Sequence, residues 1–184
     1  MQNTATKPLF GGALTASLPV DWLDASDVRP VPDHQEVWTE REGERSLVVE
    51  ILERAEASDA ECAAFHFQDI ADSNDATATS VVSHGALDVA SLATSLRRSG
   101  PCLVLHGVQV LPKAADNQSS SGGGVELSVQ MAVIRMARQA TDILVSINRP
   151  CITALVAEHG DRDRALLVDI VSSLEVIDWG LFAG

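Results

Sequence analysis

The residues best suited to binding or chemistry in this chain are carboxylates concentrated in one short stretch, residues 24–38. The stretch reads DASDVRPVPDHQEVW, and its charged groups are four acids and one base, Asp24, Asp27, Asp33, Glu36 and Arg29. Pro30 and Pro32 fix their own φ and hold the residue before each of them in an extended conformation. The segment is therefore predicted to be a stiff loop that presents carboxylates to basic groups, although a solvated surface turn would have the same composition.

Two strands are predicted to position this loop. Alternation and an aromatic residue favour a strand over Gln35 to Glu40, so that Asp33 and Glu36 flank the junction between the loop and the strand. A polar turn around Gly43 and a second apolar alternation predict a hairpin partner over Ser46 to Glu53. The carboxylates near this junction are expected to be held in place by the strand.

A second candidate site is a repeated Cys-x3-His spacing, found at Cys62 with His66 and at Cys102 with His106. Residues four apart share a face of a helix or of a strand, so each pair offers two ligands to zinc. Cysteine is more often a small buried hydrophobe, and the two pairs need not meet in space. We therefore predict no metal and no cofactor.

Enzymatic signals are weak. His66 and Asp69 have the spacing of a base and its orienting acid, but no nucleophile lies beside them, and a structural hydrogen bond between the two is the expected role. The sequence contains none of the motifs of P-loop nucleotide-binding proteins, zinc proteases or serine hydrolases. Trp179 is expected in the core, whereas Trp22 and Trp38 suit either the core or an interface. Four arginines are expected to be solvated or paired: Arg97, Arg98, Arg135 and Arg138.

The net negative charge of the chain indicates which class of partner it can bind. The chain has 13 Lys and Arg against 26 Asp and Glu, a formal net charge of −13. Between Asp21 and Glu61 there are 13 acids and four arginines, hence −9 for that segment alone. Because binding to DNA or RNA depends on neutralising phosphates with cations, we expect no nucleic-acid partner, and an anionic membrane is disfavoured likewise. An acidic face instead suits a basic protein partner, whose approach it would steer.

The cysteines and the N-terminal residues indicate the cellular compartment in which the protein is expected. Cys62, Cys102 and Cys151 are an odd number and widely spaced, which is typical of a reducing environment and not of a disulfide framework. The first residues lack the apolar core of a signal peptide, and no run approaches the ~18 apolar residues of a spanning helix. A soluble intracellular protein is expected.

The remaining alternation predicts a mainly antiparallel sheet. Further strands are expected at Ala13 to Leu18, Ala78 to His84, Cys102 to Leu111, Val125 to Ala137 and Asp142 to Asn148. Residues 113–124, KAADNQSSSGGG, have low complexity and are predicted to form a flexible loop. We expect a single domain over residues 1–184, since this length is enough to bury one core.

Two helices are predicted to flank the sheet. One begins near Ser58, which with Glu61 has the spacing of a capping box. The other is expected after Gly160, with Asp161 or Asp163 near its N-terminus, where acids suit the helix dipole. The fold class is therefore α+β, a central and mainly antiparallel sheet flanked by helices.

Several segments, in order and spacing, closely resemble the Ran guanine nucleotide release factor family, also known as the Mog family. In the first third of the chain they are PLFGGAL at residues 8–14, Leu18-Pro19, DASDVRPVPDHQEVW at 24–38 and SLVVEILE at 46–53. Further along they are FHFQDI at 65–70, the apolar run at 125–137, TDILVSINRP at 141–150 and VIDWGLFAG at 176–184. The resemblance covers nearly the whole chain.

The resemblance implies a fold similar to that of the PsbP protein of photosystem II, an antiparallel sheet sandwiched by helices. It also implies a monomeric protein of the nucleus and cytoplasm that binds the small GTPase Ran and releases its guanine nucleotide without covalent catalysis, acting in nuclear transport. The partner-binding residues that carry over are Asp24, Arg29, Asp33, Gln35 and Glu36, with Asp27 less strictly matched. Family members usually have Glu-Asp where this chain has Gln68-Asp69, which weakens a second acidic patch on the helix.

A mechanism follows from the charges. Asp24, Asp33 and Glu36 are expected to pair with basic groups beside the nucleotide of the GTPase and so compete with the polyanionic nucleotide. Two alternatives stay open: an acidic module that binds another basic partner without nucleotide release, and an enzyme or metal protein that uses the histidines and cysteines.

Overall fold

The main feature of the computed structural model is an antiparallel sheet of seven strands. The structure describes residues 3–112, 124–151 and 156–183, so the predicted loop at 113–124 lies, apart from Gly124, outside the described residues. The described residues form ten strands: β1 Thr4–Leu9, β2 Leu14–Pro19, β3 Trp22–Asp24, β4 Gln35–Glu40, β5 Ser46–Glu53, β6 Ala78–Leu87, β7 Cys102–Leu111, β8 Val125–Met136, β9 Thr141–Cys151 and β10 Glu175–Val176. The large sheet has the order β3-β4-β5-β9-β8-β7-β6, and every neighbouring pair is antiparallel.

Two helices cover the faces of this sheet. Helix α1, Asp59–Ser73, packs on β6, β7 and β8, and helix α2, Val156–Ser173, packs on the other face against β8 and β9. The prediction of an α+β fold with an antiparallel sheet flanked by helices is confirmed. A second sheet of three strands, β1-β2-β10, was not predicted, and β2 packs against α2.

Apolar residues form one core on each side of the large sheet. The larger core joins the sheet to α2 and to the small sheet, and includes Leu47 and Val49 of β5. The smaller core lies under α1 and includes Phe67 and Leu105. Helix α1 lies mainly over β6 to β8 and reaches β9 only near Asp142, so the same face of β4, β5 and the rest of β9 borders a groove beside the helix.

Local patterns located most strands correctly. The predicted bounds of β4, β5 and β7 are confirmed, and β6, β8 and β9 lie where strands were expected. Strand β1 was not predicted, because Lys7 and Pro8 interrupt any apolar alternation over Thr4–Leu9. Proline is tolerated there since, within the described parts of the chain, β1 pairs only with β2 and forms an edge of the small sheet.

The start of α2 differs from the prediction. The helix begins at Val156, not after Gly160, and Asp163 is buried inside it instead of lying at its N-terminus. Asp163 accepts hydrogen bonds from Arg149 at 2.7 and 2.6 Å. Gly160 is accommodated because the helix passes close to β7: an added Cβ would lie 3.2 Å from His106 Cε1. Tertiary packing here outweighs the low helix propensity of glycine.

Two other local expectations also change. Ser58 is the N-cap residue of α1, but its hydroxyl donates to Glu61 Oε2 at 2.6 Å and makes no bond to the helix backbone. Trp179 was expected in the core and is 41 % exposed, whereas Trp22 and Trp38 are 2 % and 7 % exposed and belong to the larger core.

Strand β6 is an unusual edge. Its ten residues, Ala78–Leu87, include no charged residue and no proline, and nine of the ten are exposed. Among the described residues it pairs only with β7, with one irregularity in register between Val81 and Ser83. The other end of the sheet is the three-residue strand β3, which ends in an acid.

A glycine in β7 allows α1 to approach the sheet, and its replacement is a test of this packing. An added Cβ at Gly107 would lie 2.4 Å from Cζ of Phe67. Gly107→Ala is expected to lower the free energy of unfolding by about 1–3 kcal/mol through overpacking, measured by urea denaturation. Gly85→Ala in β6 is the matched control, since its Cβ would meet its nearest atom at 4.0 Å. Equal stability of the two variants would contradict this account.

Candidate functional site

The acidic loop is held at both ends by the sheet. Asp24 ends β3 and lies opposite Trp38 of β4, and both tryptophans of this strand pair are buried. The loop then turns through a short 3-10 helix, Ala25–Asp27, which Asp24 caps by accepting a hydrogen bond from the amide of Ser26 at 2.8 Å. The stiff loop predicted from the prolines is therefore anchored by backbone and side-chain hydrogen bonds.

The prolines lie in the second half of the loop, which closes onto β4. The amides of Val28 and Arg29 both donate to Ala25 O, at 3.1 and 3.0 Å. The amide of Gln35 donates to Pro32 O at 2.9 Å, which turns the chain into the strand. This arrangement fixes the backbone on either side of Asp33 and leaves its side chain exposed.

Three of the predicted carboxylates share one cleft. Asp24, Asp33 and Glu36 line a depression of about 400 Å³. Its apolar lining includes Phe10 and Leu181, which come from distant parts of the chain. The cleft, here called the acidic cleft, thus combines negative charge with apolar wall. It can receive a basic side chain, with the charged head among carboxylates and the aliphatic stem against the wall.

Glu36 is attached to the fold more firmly than the sequence suggested. Its Oε1 accepts a hydrogen bond from the amide of Phe10, which has a positive φ of 49°. Burial raises the pKa of the Glu36 carboxyl; the bond from Phe10 opposes this shift, and the charge of Asp24 adds to it. Glu36 therefore holds the Phe10–Gly12 turn against the acidic cleft, so reversing its charge would disturb the fold as well as the surface.

The other predicted partner residues lie around the acidic cleft. Gln35 lines this cleft and also the groove beside α1, a depression of about 510 Å³, where its amide donates to Glu50. Arg29 lines only the second of these depressions, together with Asp69 of α1. Asp27 is exposed and lines neither. The structure therefore brings Asp24, Asp33, Gln35 and Glu36 together and sets Asp27 and Arg29 beside them.

Two residues of the acidic cleft were not predicted as part of the site. Phe10 and Leu181 are far from the acidic loop along the chain, and both contact the larger core while lining the cleft. Only the pairing of β10 with β2 and the turn at Phe10–Gly12 bring them to the site. Such long-range contacts leave no periodicity from which to predict them.

The Cys-x3-His pairs do not form one site. Cys62 and His66 lie on α1 over the smaller core, whereas Cys102 belongs to the larger core on the opposite face of the sheet. His106 is also on that face, with Nε2 3.0 Å from Ser128 Oγ. Burial raises the pKa of the Cys102 thiol to about 12, so it is protonated at neutral pH.

Cys62 and His66 instead meet a carboxylate from β9. Asp142 Oδ2 lies 2.9 Å from His66 Nε2 and 3.6 Å from Cys62 Sγ, and it accepts from the amide of Ala55 at 3.0 Å. The expected partner of His66, Asp69, is exposed, so that pairing was wrong. The three side-chain ligand atoms lie within 4.8 Å of one another, as a metal site would need.

The donors around Asp142 fit a structural anchor better than a metal centre. Arg135, expected to be a solvated or paired charge, is 1 % exposed and pairs with Asp142, its Nε 3.4 Å from Oδ1. Burial, with the adjacent Asp142 charge, raises the pKa of the Cys62 thiol to about 11, so the thiol is protonated at neutral pH, whereas a metal needs the thiolate. A fixed cation and a protonated thiol both oppose the binding of a cation.

No helix in the part of the chain that the structure describes is both long and apolar enough to cross a membrane.

Comparison with known proteins identifies the family. A family model described as "Ran-interacting Mog1 protein" matches residues 7–150. The "Ran guanine nucleotide release factor" of Bos taurus is 38 % identical over 154 residues, 82 % of this chain and 78 % of that protein. The "Nuclear import protein mog1" of Schizosaccharomyces pombe is 34 % identical over 145 residues, 77 % of this chain and 75 % of that protein.

A solved structure shows the same fold. The crystal structure of the Saccharomyces cerevisiae Ran-binding protein Mog1p superposes with a TM-score of 0.75 and 24 % identity, covering 99 % of this chain and 100 % of that one. With the family match over residues 7–150, the chain belongs to the Mog1 family.

Proposed function

We propose that this chain binds the small GTPase Ran through the acidic cleft and promotes release of its guanine nucleotide. The observation that carries the proposal is the convergence of Asp24, Asp33 and Glu36 on one cleft of about 400 Å³. The family description, "Ran-interacting Mog1 protein", and the relatives named release factors supply the partner. Asp27, Arg29 and Gln35 complete the proposed interface.

Charge supports a basic partner. The segment from Asp21 to Glu61 has a charge of −9, from 13 acids and four arginines, and it includes the acidic cleft. A field of one sign focused in a cleft raises the rate at which a basic surface is captured. The backbone bonds that fix the loop mean that little ordering is needed on binding, which favours affinity.

Release of nucleotide would follow from competition. A GTPase holds the nucleotide phosphates through a lysine, backbone amides and Mg²⁺. Carboxylates that pair with basic groups beside the nucleotide withdraw them from it, and close interfacial charge pairs are coupled by roughly 1.5–7 kcal/mol. Since about 1.4 kcal/mol is tenfold in an equilibrium constant, one such pair is enough to weaken nucleotide binding by about tenfold at the lower end of this range and on the order of 100,000-fold at the upper end.

The same competition acts in both directions. If this chain weakens the binding of nucleotide to Ran by some factor, then nucleotide weakens the binding of this chain by that factor. The complex with nucleotide-free Ran is therefore the tightest. Because binding energy alone drives the exchange, the protein would act without covalent catalysis. We propose that it acts as a monomer.

The proposal includes a role in transport between nucleus and cytoplasm, with the protein present in both compartments. Its support is the name of the Schizosaccharomyces pombe relative, "Nuclear import protein mog1". The net charge of −13 argues against nucleic acid as the partner in either compartment.

The direct test is release of a fluorescent guanine nucleotide from Ran at two ionic strengths. We expect this chain to accelerate release at about 0.01 M salt and to do so much less at about 0.15 M, because the Debye length falls from about 30 Å to about 8 Å. Ran alone at each salt concentration is the control. Binding to Ran without accelerated release would reject the exchange function and favour the alternative, an acidic module that binds without releasing nucleotide.

A further inference from the structure

A turn from the end of the described chain forms part of the wall of the acidic cleft. The amides of Ile177 and Asp178 both donate to Ala13 O, at 2.9 and 3.1 Å, which ties this segment to the start of β2. Asp178 then caps the 3-10 helix Trp179–Phe182, accepting from Gly180 N at 2.8 Å. Leu181 of this helix lines the acidic cleft. The turn is thus fixed beside the carboxylates.

Trp179 of this turn has an exposed indole. It is 41 % exposed, and its ring lies 6.0 Å from that of Phe182, which packs on the larger core. The ring of Phe182, tilted by 54° to the indole, contacts Trp179 and leaves much of its side chain accessible to solvent. Trp179 is thus an exposed tryptophan on the same short helix as Leu181, which lines the acidic cleft. Such a residue suits an interface anchor, since tryptophan is enriched among residues that dominate binding energy.

We propose that Trp179 is the apolar anchor of the same interface as the acidic cleft. The inference rests on the proposed function and extends it to a surface that the acidic loop does not include. The complementary surface of the partner would have basic side chains beside an apolar area. The charged groups would enter the acidic cleft, while aliphatic stems or the plane of a guanidinium would cover the indole of Trp179.

The cleft and the indole have different roles in binding. Exposed carboxylates steer the encounter, and their contribution falls with salt. Burial of an indole acts mainly on dissociation and depends little on salt. If the acidic cleft and Trp179 belong to one interface, the binding free energy is expected to have a contribution from the carboxylates that falls with salt and a contribution from the indole that does not.

The first test follows Trp179 directly. The chain has three tryptophans, and the other two, Trp22 and Trp38, are buried, so 5-fluorotryptophan labelling gives three fluorine resonances of which one reports an exposed ring. Trp179→Phe assigns that resonance by removing it. On addition of unlabelled nucleotide-free Ran, we expect the Trp179 resonance to shift and to lose its sensitivity to exchange of H₂O for D₂O, while the other two stay in place.

The second test measures affinity. Trp179→Ala is expected to weaken binding of nucleotide-free Ran tenfold or more, with the slope of log affinity against log salt unchanged. Val82→Ala is the matched control, because Val82 is an exposed apolar residue on β6 at the other end of the large sheet from β3. Thermal melts of both variants check that each is folded. If Trp179→Ala is unstable, Trp179→Phe takes its place as the test; because it keeps an aromatic ring, it should retain most of the affinity.

The outcomes separate the two proposals. If the unsubstituted chain binds Ran but the Trp179 resonance does not move, or Trp179→Ala binds within twofold, the anchor is rejected and the acidic cleft stands. If the unsubstituted chain fails to bind Ran, the proposed function and the anchor are both rejected.

Discussion

Replacement of Asp33 by lysine is expected to lower the affinity for nucleotide-free Ran on the order of 100-fold or more, since it turns an attraction in the acidic cleft into a repulsion. Asp33 is the cleanest position for this test, because its side chain is exposed and lines the acidic cleft while the backbone around it is held by other residues. The melting temperature should stay almost unchanged. The measurement is titration of Ran by calorimetry, with a thermal melt of each variant.

Glu42→Lys is the matched control. It makes the same change of charge within the same acidic segment, but Glu42 is exposed in the β4–β5 turn, at the other end of β4 from Gln35, roughly 17 Å along the strand. We expect a loss of affinity there of severalfold at most, through the general field. Equal losses at the two positions would mean that net charge, and not the acidic cleft, determines binding.

Glu36 needs a gentler change, since it holds the amide of Phe10. Glu36→Gln keeps an oxygen acceptor for that bond and removes the charge, so it separates the two roles of the side chain.

Replacement of Arg135 by alanine is expected to cost about 3–5 kcal/mol of unfolding free energy, which for a chain of this size lowers the melting temperature on the order of 10 °C. Arg135 is 1 % exposed, and its guanidinium donates to Ala55 O at 2.6 Å and to Ala57 O at 2.9 Å besides pairing with Asp142. Its removal leaves a buried carboxylate without its cation and two carbonyl oxygens without their donor. Urea denaturation at neutral pH measures the effect.

The pH dependence of this variant checks the mechanism. Burial opposes ionisation of Asp142, but the bonds from His66 and Ala55 and the charge of Arg135 outweigh it, so its pKa lies below the usual value. A carboxyl with a lowered pKa in the folded state contributes stability that is present above about pH 4 and lost as the pH falls through the folded pKa. The difference between wild type and Arg135→Ala should therefore shrink below about pH 4.

Arg138→Ala serves as the control for the loss of an arginine. Arg138 is only three residues further along and is exposed, so its removal should change stability by less than about 0.5 kcal/mol. A loss at Arg135 as small as that at Arg138 would contradict the view that the buried charges hold α1 and β9 together.

The parts of the fold that depend on neighbouring residues were predictable. The apolar alternation of Gln35–Glu40 and Ser46–Glu53 is set by one buried face, and both strands lie where the pattern placed them. The stiffness of the acidic loop was predictable as well, because each proline restricts the backbone dihedral angles of itself and of the residue before it. The closeness of Asp33 and Glu36 also followed, because both flank the junction between the loop and β4, whereas β3, which positions Asp24, was not predicted.

The parts that depend on distant contacts were not predictable. Arg135 lies directly opposite Asp142 across β8 and β9, a register that no local pattern reveals, so the sequence did not distinguish a buried ion pair from a solvated charge. Trp179 was assigned to the core on hydrophobicity alone, although the small sheet leaves its turn at the surface. Gly160 looked like a helix start because the close approach of β7, which favours a residue without a side chain, is a tertiary contact.

The bare edge of β6 makes net charge part of how this protein stays in solution. Among the residues that the structure describes, β6 has no strand on its outer side, and its ten residues without a charge or a proline can pair with another strand, which is the template from which fibrils and amorphous precipitates grow. Mutual repulsion between copies that each have a formal charge of −13 keeps such edges apart. Concentrated solutions should therefore resist aggregation best at low ionic strength and at a pH well above the isoelectric point. Val82→Lys, which places a charge on the exposed strand, should reduce pairing between the edges of two copies.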